Sequence, residues 1–341
     1  MTKRVDAVLV GCGGMSGAWL KVLSETPGVR ITALVDVVEE NARRRKEEFG
    51  LSEAEIGDDL DGMLRLKRPQ IVLDCTIPAA HVGVTLTALR RGCHVLGEKP
   101  MAENLPDARR MIAAAKRAKR IYAIIQNRRY ANPIRVFRKA LASNGLGAVH
   151  TLSADFFIGA HFGGFRDHMP HVLLVDMAIH TFDQARFLTG WEPVAVHCHE
   201  WNPPGSWFDH DASAIALFEM SNGAVFSYRG SWCAEGLNTS WESNWHAQAS
   251  RGSARWDGGD GIEIEGVAKT GGFRSQLRAL PRPTLPPLAH TGHAGNIFDF
   301  LRAVRTGKPP MTVCTDNIRS LAMALGAVES AQSGKRVRIR A

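Results

Sequence analysis

Val5-Asp6-Ala7-Val8-Leu9-Val10-Gly11-Cys12-Gly13-Gly14-Met15-Ser16-Gly17 is the stretch that decides the fold. Its aliphatic run predicts a buried strand, and its glycines predict a tight turn into a helix. Gly11 permits the turn, and Gly13 lets backbone approach a pyrophosphate resting on the helix N-terminus. Gly11, Gly13, Gly14 and Met15 are therefore candidate cofactor-binding residues. The third small position is taken by Ser16, followed by Gly17, and serine is small enough to keep the motif. About twenty residues beyond the glycine run, Asp36 closes the next strand, where a carboxylate accepts hydrogen bonds from adenosine ribose hydroxyls. Its charge would repel a 2′-phosphate, so NAD is the expected cofactor. NADP stays possible because Arg43, Arg44 and Arg45 follow, although a helix face balanced by Glu39, Glu40, Glu47 and Glu48 is the simpler account of those arginines.

Outward from this turn, strand-like runs at Val5 to Val10, Ile31 to Val35, Gln70 to Thr76, His94 to Gly97 and Ile121 to Gln126 alternate with amphipathic stretches such as Ala79 to Arg91 and Leu105 to Lys119. That alternation predicts α/β architecture: a Rossmann, doubly wound parallel sheet over residues 1–126. The pattern changes at Asn127. A helix from Pro133 to Ser143 is expected to stop at Asn144-Gly145. Strand-like runs then dominate, at Val149 to Ile158, Val194 to Trp201, Ala212 to Met220, Ala224 to Trp232, Trp245 to Ser250 and Gly261 to Gly266. Ser221-Asn222-Gly223 reads as a hairpin turn, so residues 127–341 are expected to form an α+β domain with a large open, mostly antiparallel sheet. A helix over about Leu173 to Leu188 is inserted among the strands, Pro281 to Pro287 reads as an extended loop, and helices near Ala294 to Arg305 and Asp316 to Ser333 finish the chain.

Ligands of open α/β sheets bind beyond the carboxyl ends of the strands, which places Thr76-Ile77-Pro78, His81 and Glu98-Lys99-Pro100 at the rim of one cleft. Thr76, Pro78, His81, Glu98 and Lys99 are candidate cofactor contacts, unless His81 simply begins the next helix. A lysine at such a strand end can donate to a substrate hydroxyl and stabilise a developing alkoxide, with Glu98 to fix or neutralise it. In Asp176-Met177-Ala178-Ile179-His180-Thr181-Phe182-Asp183 the polar residues at i, i+4 and i+7 share one face of a helix. His180 is the natural acceptor for an alcohol proton and Asp176 its orienting partner, whereas a structural pairing with Arg186 accounts better for Asp183. Arg166 and His168, just ahead, are candidate substrate contacts together with Asp176 and His180. Trp201, Trp207, Trp232, Trp241, Trp245 and Trp256 lie in this half beside His161, His168 and His171. Aromatic faces suit the C–H surfaces of sugars, although at least half of these tryptophans are expected in the core.

A chain of 341 residues, 45% of them hydrophobic, can bury two domain cores. The six cysteines, at 12, 75, 93, 198, 233 and 314, form no C-x-x-C pair, so reduced thiols are expected rather than disulfides. His197-Cys198-His199 alternates across a strand and has no companion cluster, so no metal is expected. The first strand starts close to Met1, leaving no room for a signal segment, and no apolar run approaches the ~20 residues of a membrane span. A cytoplasmic protein without membrane association follows as the expectation. The net charge of +8 is spread among mixed clusters such as Arg43-Arg44-Arg45-Lys46-Glu47-Glu48, which argues against a nucleic-acid partner.

The glycine motif, Thr76-x-Pro78-x-x-His81, Gly92-Cys93-His94-Val95-Leu96-Gly97-Glu98-Lys99-Pro100 and Asp176-x-x-x-His180-x-x-Asp183 follow one another in an order that resembles the glucose–fructose oxidoreductase and inositol 2-dehydrogenase (Gfo/Idh/MocA) superfamily. Arg128-Arg129-Tyr130-x-x-Pro133, Gly145-Leu146-Gly147 and Ser330-x-x-x-Gly334 extend the resemblance over nearly the whole chain. It implies that Lys99 and His180 contact the reacting hydroxyl, with His180 as proton acceptor and Asp176 as its partner or a substrate ligand. It also implies a Lys99–Pro100 peptide bond that can be cis. An exposed sheet face in the second domain would make a subunit interface, hence a homo-oligomer, dimer or tetramer. Met169-Pro170-His171-Val172-Leu173-Leu174-Val175 departs from the glycine cluster often found ahead of the Asp, so no particular substrate carries over. The expected activity is hydride transfer between the nicotinamide of NAD(P) and a secondary hydroxyl of a sugar, cyclitol or related polyol. Two rivals are a glycoside-cleaving enzyme using NAD redox transiently, recognisable by recycling without net NADH, and a non-catalytic NAD-dependent regulator, which has no chemical need for Lys99, Asp176 and His180.

Overall fold

The computed structural model describes residues 4–143 and 145–341; Asn144, half of the expected helix stop, lies outside them. In chain order the first elements are β1 (Val5–Val10), α1 (Gly14–Ser24), β2 (Val29–Val35), α2 (Glu39–Glu48), β3 (Glu55–Gly57), α3 (Leu60–Lys67), β4 (Ile71–Asp74), α4 (Pro78–Arg90), β5 (His94–Gly97), α5 (Leu105–Ala118) and β6 (Tyr122–Ile124). They are followed by α6 (Asn132–Leu141), β7 (Val149–Phe157), α7 (Ile179–Thr189), β8 (Pro193–Trp201), β9 (Ser213–Met220), β10 (Val225–Ser231), β11 (Asn244–Ala249), β12 (Gly252–Trp256), β13 (Ile262–Lys269), β14 (Gln276–Ala279), α8 (Gly292–Thr306), α9 (Cys314–Ser333) and β15 (Val337–Arg338). The chain forms two compact units, residues 1–127 with 289–318, and residues 128–288 with 319–341.

In the first unit six parallel strands lie in the order β3-β2-β1-β4-β5-β6, the doubly wound arrangement the sequence predicts. Winding reverses between β1 and β4, and there Gly11 has a φ of +83°; a Cβ on it would stand 2.6 Å from the Thr76 amide nitrogen. Only glycine lets these two strand exits approach so closely. The apolar core runs through Leu9, Trp19, Leu34, Leu73 and Leu96. Helix α8 belongs here too, which corrects its expected place in the second domain. Its Ile297, Phe300 and Leu301, spaced to share one helical face, fill the same core. β3 was not anticipated because three residues carry too short a pattern.

In the second unit nine strands run in the order β14-β13-β12-β11-β7-β10-β9-β8-β15, antiparallel except for the β7–β10 pair. Met220 and Ala224 close the expected hairpin across Ser221-Asn222-Gly223. In β9 burial alternates, with Ala214, Ala216 and Phe218 inward and Ile215, Leu217 and Glu219 outward. The helix expected as one piece over about Leu173 to Leu188 instead starts as a π-helix, Leu173–Ala178, and becomes α7 at Ile179. Asp176 and His180 therefore do not follow the 3.6-residue spacing assumed for a shared face. His171, left-handed with a φ of +54°, leads into this wide turn. Among the described residues no helix is long and apolar enough to cross a membrane.

Candidate active site

The nucleotide end of the first unit is built at the strand exits. Gly13, Gly14 and Met15 are exposed, and no side chain stands within 4 Å of where a Cβ on either glycine would lie. The N-terminus of α1 has no side-chain cap, so its N–H groups are left for a ligand, and this open cradle fits the pyrophosphate of NAD. Asp36 accepts from the Cys12 amide at 2.7 Å and from the Val38 amide at 2.8 Å. Each carboxylate oxygen can still accept from a ribose hydroxyl. Burial, with Asp36 adding to it, pushes the Cys12 thiol up to about 12, so it stays protonated. Arg45 clamps the loop from α2, donating to the Gly13 carbonyl at 2.8 Å and to the Ser16 hydroxyl at 3.0 Å. Ser16 in turn donates to Gly13 O at 2.6 Å, so the serine at the motif's third small position also ties down the loop.

Two candidates support the cradle rather than line it. Glu98 is buried: one carboxylate oxygen accepts from Trp19 Nε1 of α1 at 2.9 Å and the other from the Lys99 amide at 3.2 Å, while burial raises its pKa. His81 does begin a helix, and its ring nitrogens meet the carbonyl oxygens of Pro100 at 2.8 Å and Thr76 at 2.9 Å, leaving neither for a cofactor. The ring instead ties the loop after β4 to the loop after β5. Thr76 caps buried Asp74, donating its hydroxyl to the carboxylate at 2.5 Å, and Pro78 occupies the first turn of α4. Burial pushes Asp74 up, with His81 pulling against it.

Lys99 leaves the carboxyl end of β5 through a cis bond to Pro100. Sequence reasoning missed its neighbour, His293 in the first turn of α8. Asn127 Nδ2 stands 3.5 Å from His293 Nδ1, and one turn further on Asn296 donates to Ile124 O at 3.3 Å, docking α8 on the β6 exit. Burial first, and then the charge of Lys99, disfavours protonation of His293. The two residues are almost two hundred positions apart in sequence, so no local signal joins them.

In the second unit Asp176 accepts from Arg166 Nε at 2.8 Å, and His180, 9% exposed, follows in the first turn of α7. Arg166 stacks over Phe165 at 4.7 Å and Phe162 at 5.2 Å, and Phe162 packs edge-on against Trp232 at 5.0 Å. Trp241, 51% exposed, closes this aromatic patch 5.7 Å from Trp232. Trp232, Trp245 and Trp256 are core, half of the six tryptophans between Trp201 and Trp256. His168 is not brought to Asp176; it lies exposed on Asp209, at 2.5 Å, and this bond raises its pKa. Asp183 is structural, but its chief partner is Arg129, which grips it through two 2.6 Å bonds in the core, with Ser320 adding a third of 2.7 Å. Arg129→Met, which strands that carboxylate, is expected to cost about 3–5 kcal/mol in urea unfolding, and Arg129→Met/Asp183→Leu to recover part of it. Among the described residues no group of three or more His, Cys, Asp or Glu side chains can hold a metal.

A parallel sheet in this strand order, with a glycine turn, an open helix N-terminus and an acidic strand end, defines a dinucleotide-binding protein. Residues 5–126 match the model of an oxidoreductase family with an NAD-binding Rossmann fold, and residues 134–255 match the GFO/IDH/MocA C-terminal domain. The chain belongs to the GFO/IDH/MocA oxidoreductase family and is an NAD-dependent oxidoreductase. It is 25% identical over 346 residues to D-apiose dehydrogenase of Paraburkholderia graminis, covering 99% of this chain and 90% of that one. It is 28% identical over 332 residues to the rhizopine catabolism protein MocA of Rhizobium meliloti, covering 94% and 93%. The solved structure of an oxidoreductase from Agrobacterium radiobacter in complex with NAD+, L-tartaric acid and magnesium superposes with a TM-score of 0.86 over 98% of each chain, at 19% identity; that likeness is one of fold.

Proposed function

We propose that this enzyme oxidises a secondary hydroxyl of a sugar, cyclitol or related polyol. The observation that carries this is the anchoring of Lys99: Glu98 bonds Trp19 of the glycine-loop helix at 2.9 Å, so the lysine's backbone is fixed to the element that seats the cofactor. Bound NAD supplies the hydride acceptor. Lys99 donates a hydrogen bond to the reacting oxygen and stabilises its developing negative charge. His180 accepts the hydroxyl proton, and Asp176, itself held by Arg166, orients the substrate or the imidazole. The partly exposed patch of Phe162, Phe165 and Trp241 next to Arg166 suits the C–H face of a ring that also presents hydroxyls. The sugar dehydrogenase among its relatives supports the same class.

NAD is preferred to NADP because the Asp36 carboxylate stands where a 2′-phosphate would lie, and the nearby arginines are engaged, Arg43 with Glu40 at 2.6 Å and Arg44 with Asn41 at 3.2 Å. Asp36→Asn, which removes the charge and keeps an acceptor, is expected to lower the NAD-to-NADP affinity ratio by about tenfold in paired binding titrations. The exposed sheet face bearing Ile215 and Leu217 is assigned to a homo-oligomer, dimer or tetramer, and the six unpaired cysteines fit the cytoplasm. A screen of sugars, inositols and their acids with NAD and NADP in parallel tests the function. Net NADH formation with at least one polyol is expected; none across the panel defeats the assignment.

A further inference from the structure

The amino ends of β1, β4 and β5 and the carboxyl ends of α3 and α8 border a basin of about 1060 Å³ in the first unit. Arg4, Arg65, Arg68, Arg91, Arg120 and Arg305 line it, and no Asp or Glu does. Arg91 and Arg65 share the carboxylate of Asp61, at 2.7 and 3.7 Å, which Arg91 above all holds down at about 2. Among the described residues, Arg4, Arg68, Arg120 and Arg305 make no ion pair. Six guanidinium groups thus line the basin, two of them share the Asp61 carboxylate, and an excess of positive charge is left over. Cations are favoured at helix C-termini, which accounts for Arg65 and Arg305 in the last turns of α3 and α8. It does not account for Arg4 or Arg120, which precede strands. The floor is apolar, formed by Val5, Leu64, Pro69 and Val304. His94 joins the lining as a neutral donor: its Nδ1 accepts from the Ile121 amide at 2.9 Å, and burial, then Arg120, lowers its pKa to about 4.

We propose that this basin binds a small molecule bearing several phosphate groups, at a site separate from the cofactor's. Strands of four to six residues, about 13–20 Å long, separate it from the loops that carry Gly11, Thr76 and Lys99. Planar guanidinium forks match phosphate oxygens two at a time, and a concavity ringed by them concentrates the field that a flat basic surface disperses. A single basin of about 1060 Å³ suits a compact polyanion better than an extended nucleic-acid strand.

Calorimetric titration of the NAD-saturated protein with tripolyphosphate at low salt tests this, with citrate in parallel. Saturable binding of tripolyphosphate at one site is expected. Arg4→Gln/Arg305→Gln should weaken it at least about tenfold, since both side chains are exposed and their loss spares the core. Lys269→Gln/Arg274→Gln, an equal loss of charge in the second unit, should leave it within about twofold. Equal weakening by both pairs, or no saturable binding up to millimolar concentrations, overturns the site. Binding of citrate without tripolyphosphate overturns the phosphate assignment.

Discussion

His180→Ala is expected to lower kcat by a factor of about 10²–10⁴ while the affinity for NAD stays within about twofold. The reason is local. His180, 9% exposed, sits in the first turn of α7, two residues after the π segment that carries Asp176. Removing the imidazole takes away the proposed acceptor for the alcohol proton. Added imidazole should restore part of the rate, because the vacated volume accepts a ring of the same size and basicity. His180→Gln, which fills the space without a base, should stay slow and be rescued less. An alanine variant with unchanged turnover on a polyol oxidised by the parent would remove His180 from the mechanism.

Lys99→Met should cost about two or more orders of magnitude in kcat/KM, again with NAD binding nearly intact. Methionine keeps the length of the side chain and deletes the ammonium. The lost interaction is strongest when the oxygen carries most charge, so the loss falls on turnover more than on substrate affinity. A second readout does not depend on turnover. The charge of Lys99 adds to burial in disfavouring protonation of His293, so in Lys99→Met the His293 titration should move upward, toward but short of the ordinary histidine range. NMR of the ring protons would show it. A His293 titration that ignores the substitution would place the ammonium elsewhere.

The first sheet was legible because each of its longer strands is buried on both faces and reads as an aliphatic run, while Gly11 and Asp36 mark two of its exits. Shorter pieces were not. Gln276–Ala279 is exposed at all four positions, so β14 sits at the sheet edge without burying an apolar face, and four residues are too short a run to mark it. The fate of α8 was hidden for another reason: its apolar face shows that it packs, but not on which sheet. Within the candidate site the residue types were readable and the directions of their side chains were not. Glu98 turns inward to Trp19, His81 spends both nitrogens on backbone, and His168 lies out on Asp209. No spacing rule foretells a hydrogen bond between residues 79 positions apart, such as that of Glu98 and Trp19.

The wide turn at Leu173–Ala178 amounts to a phase offset built into a continuous rod. Deleting a single codon there lets the rod rewind with ordinary pitch, and everything upstream then swings by about 100° around the axis relative to His180. Arg166 and its aromatic neighbours, just ahead of the joint, would be carried to a new bearing, whereas Asp183 beyond it would keep its clasp with Arg129 of a separate segment. One-residue indels at this joint are thus a ready route by which such a scaffold can re-aim what it grips without disturbing how it folds.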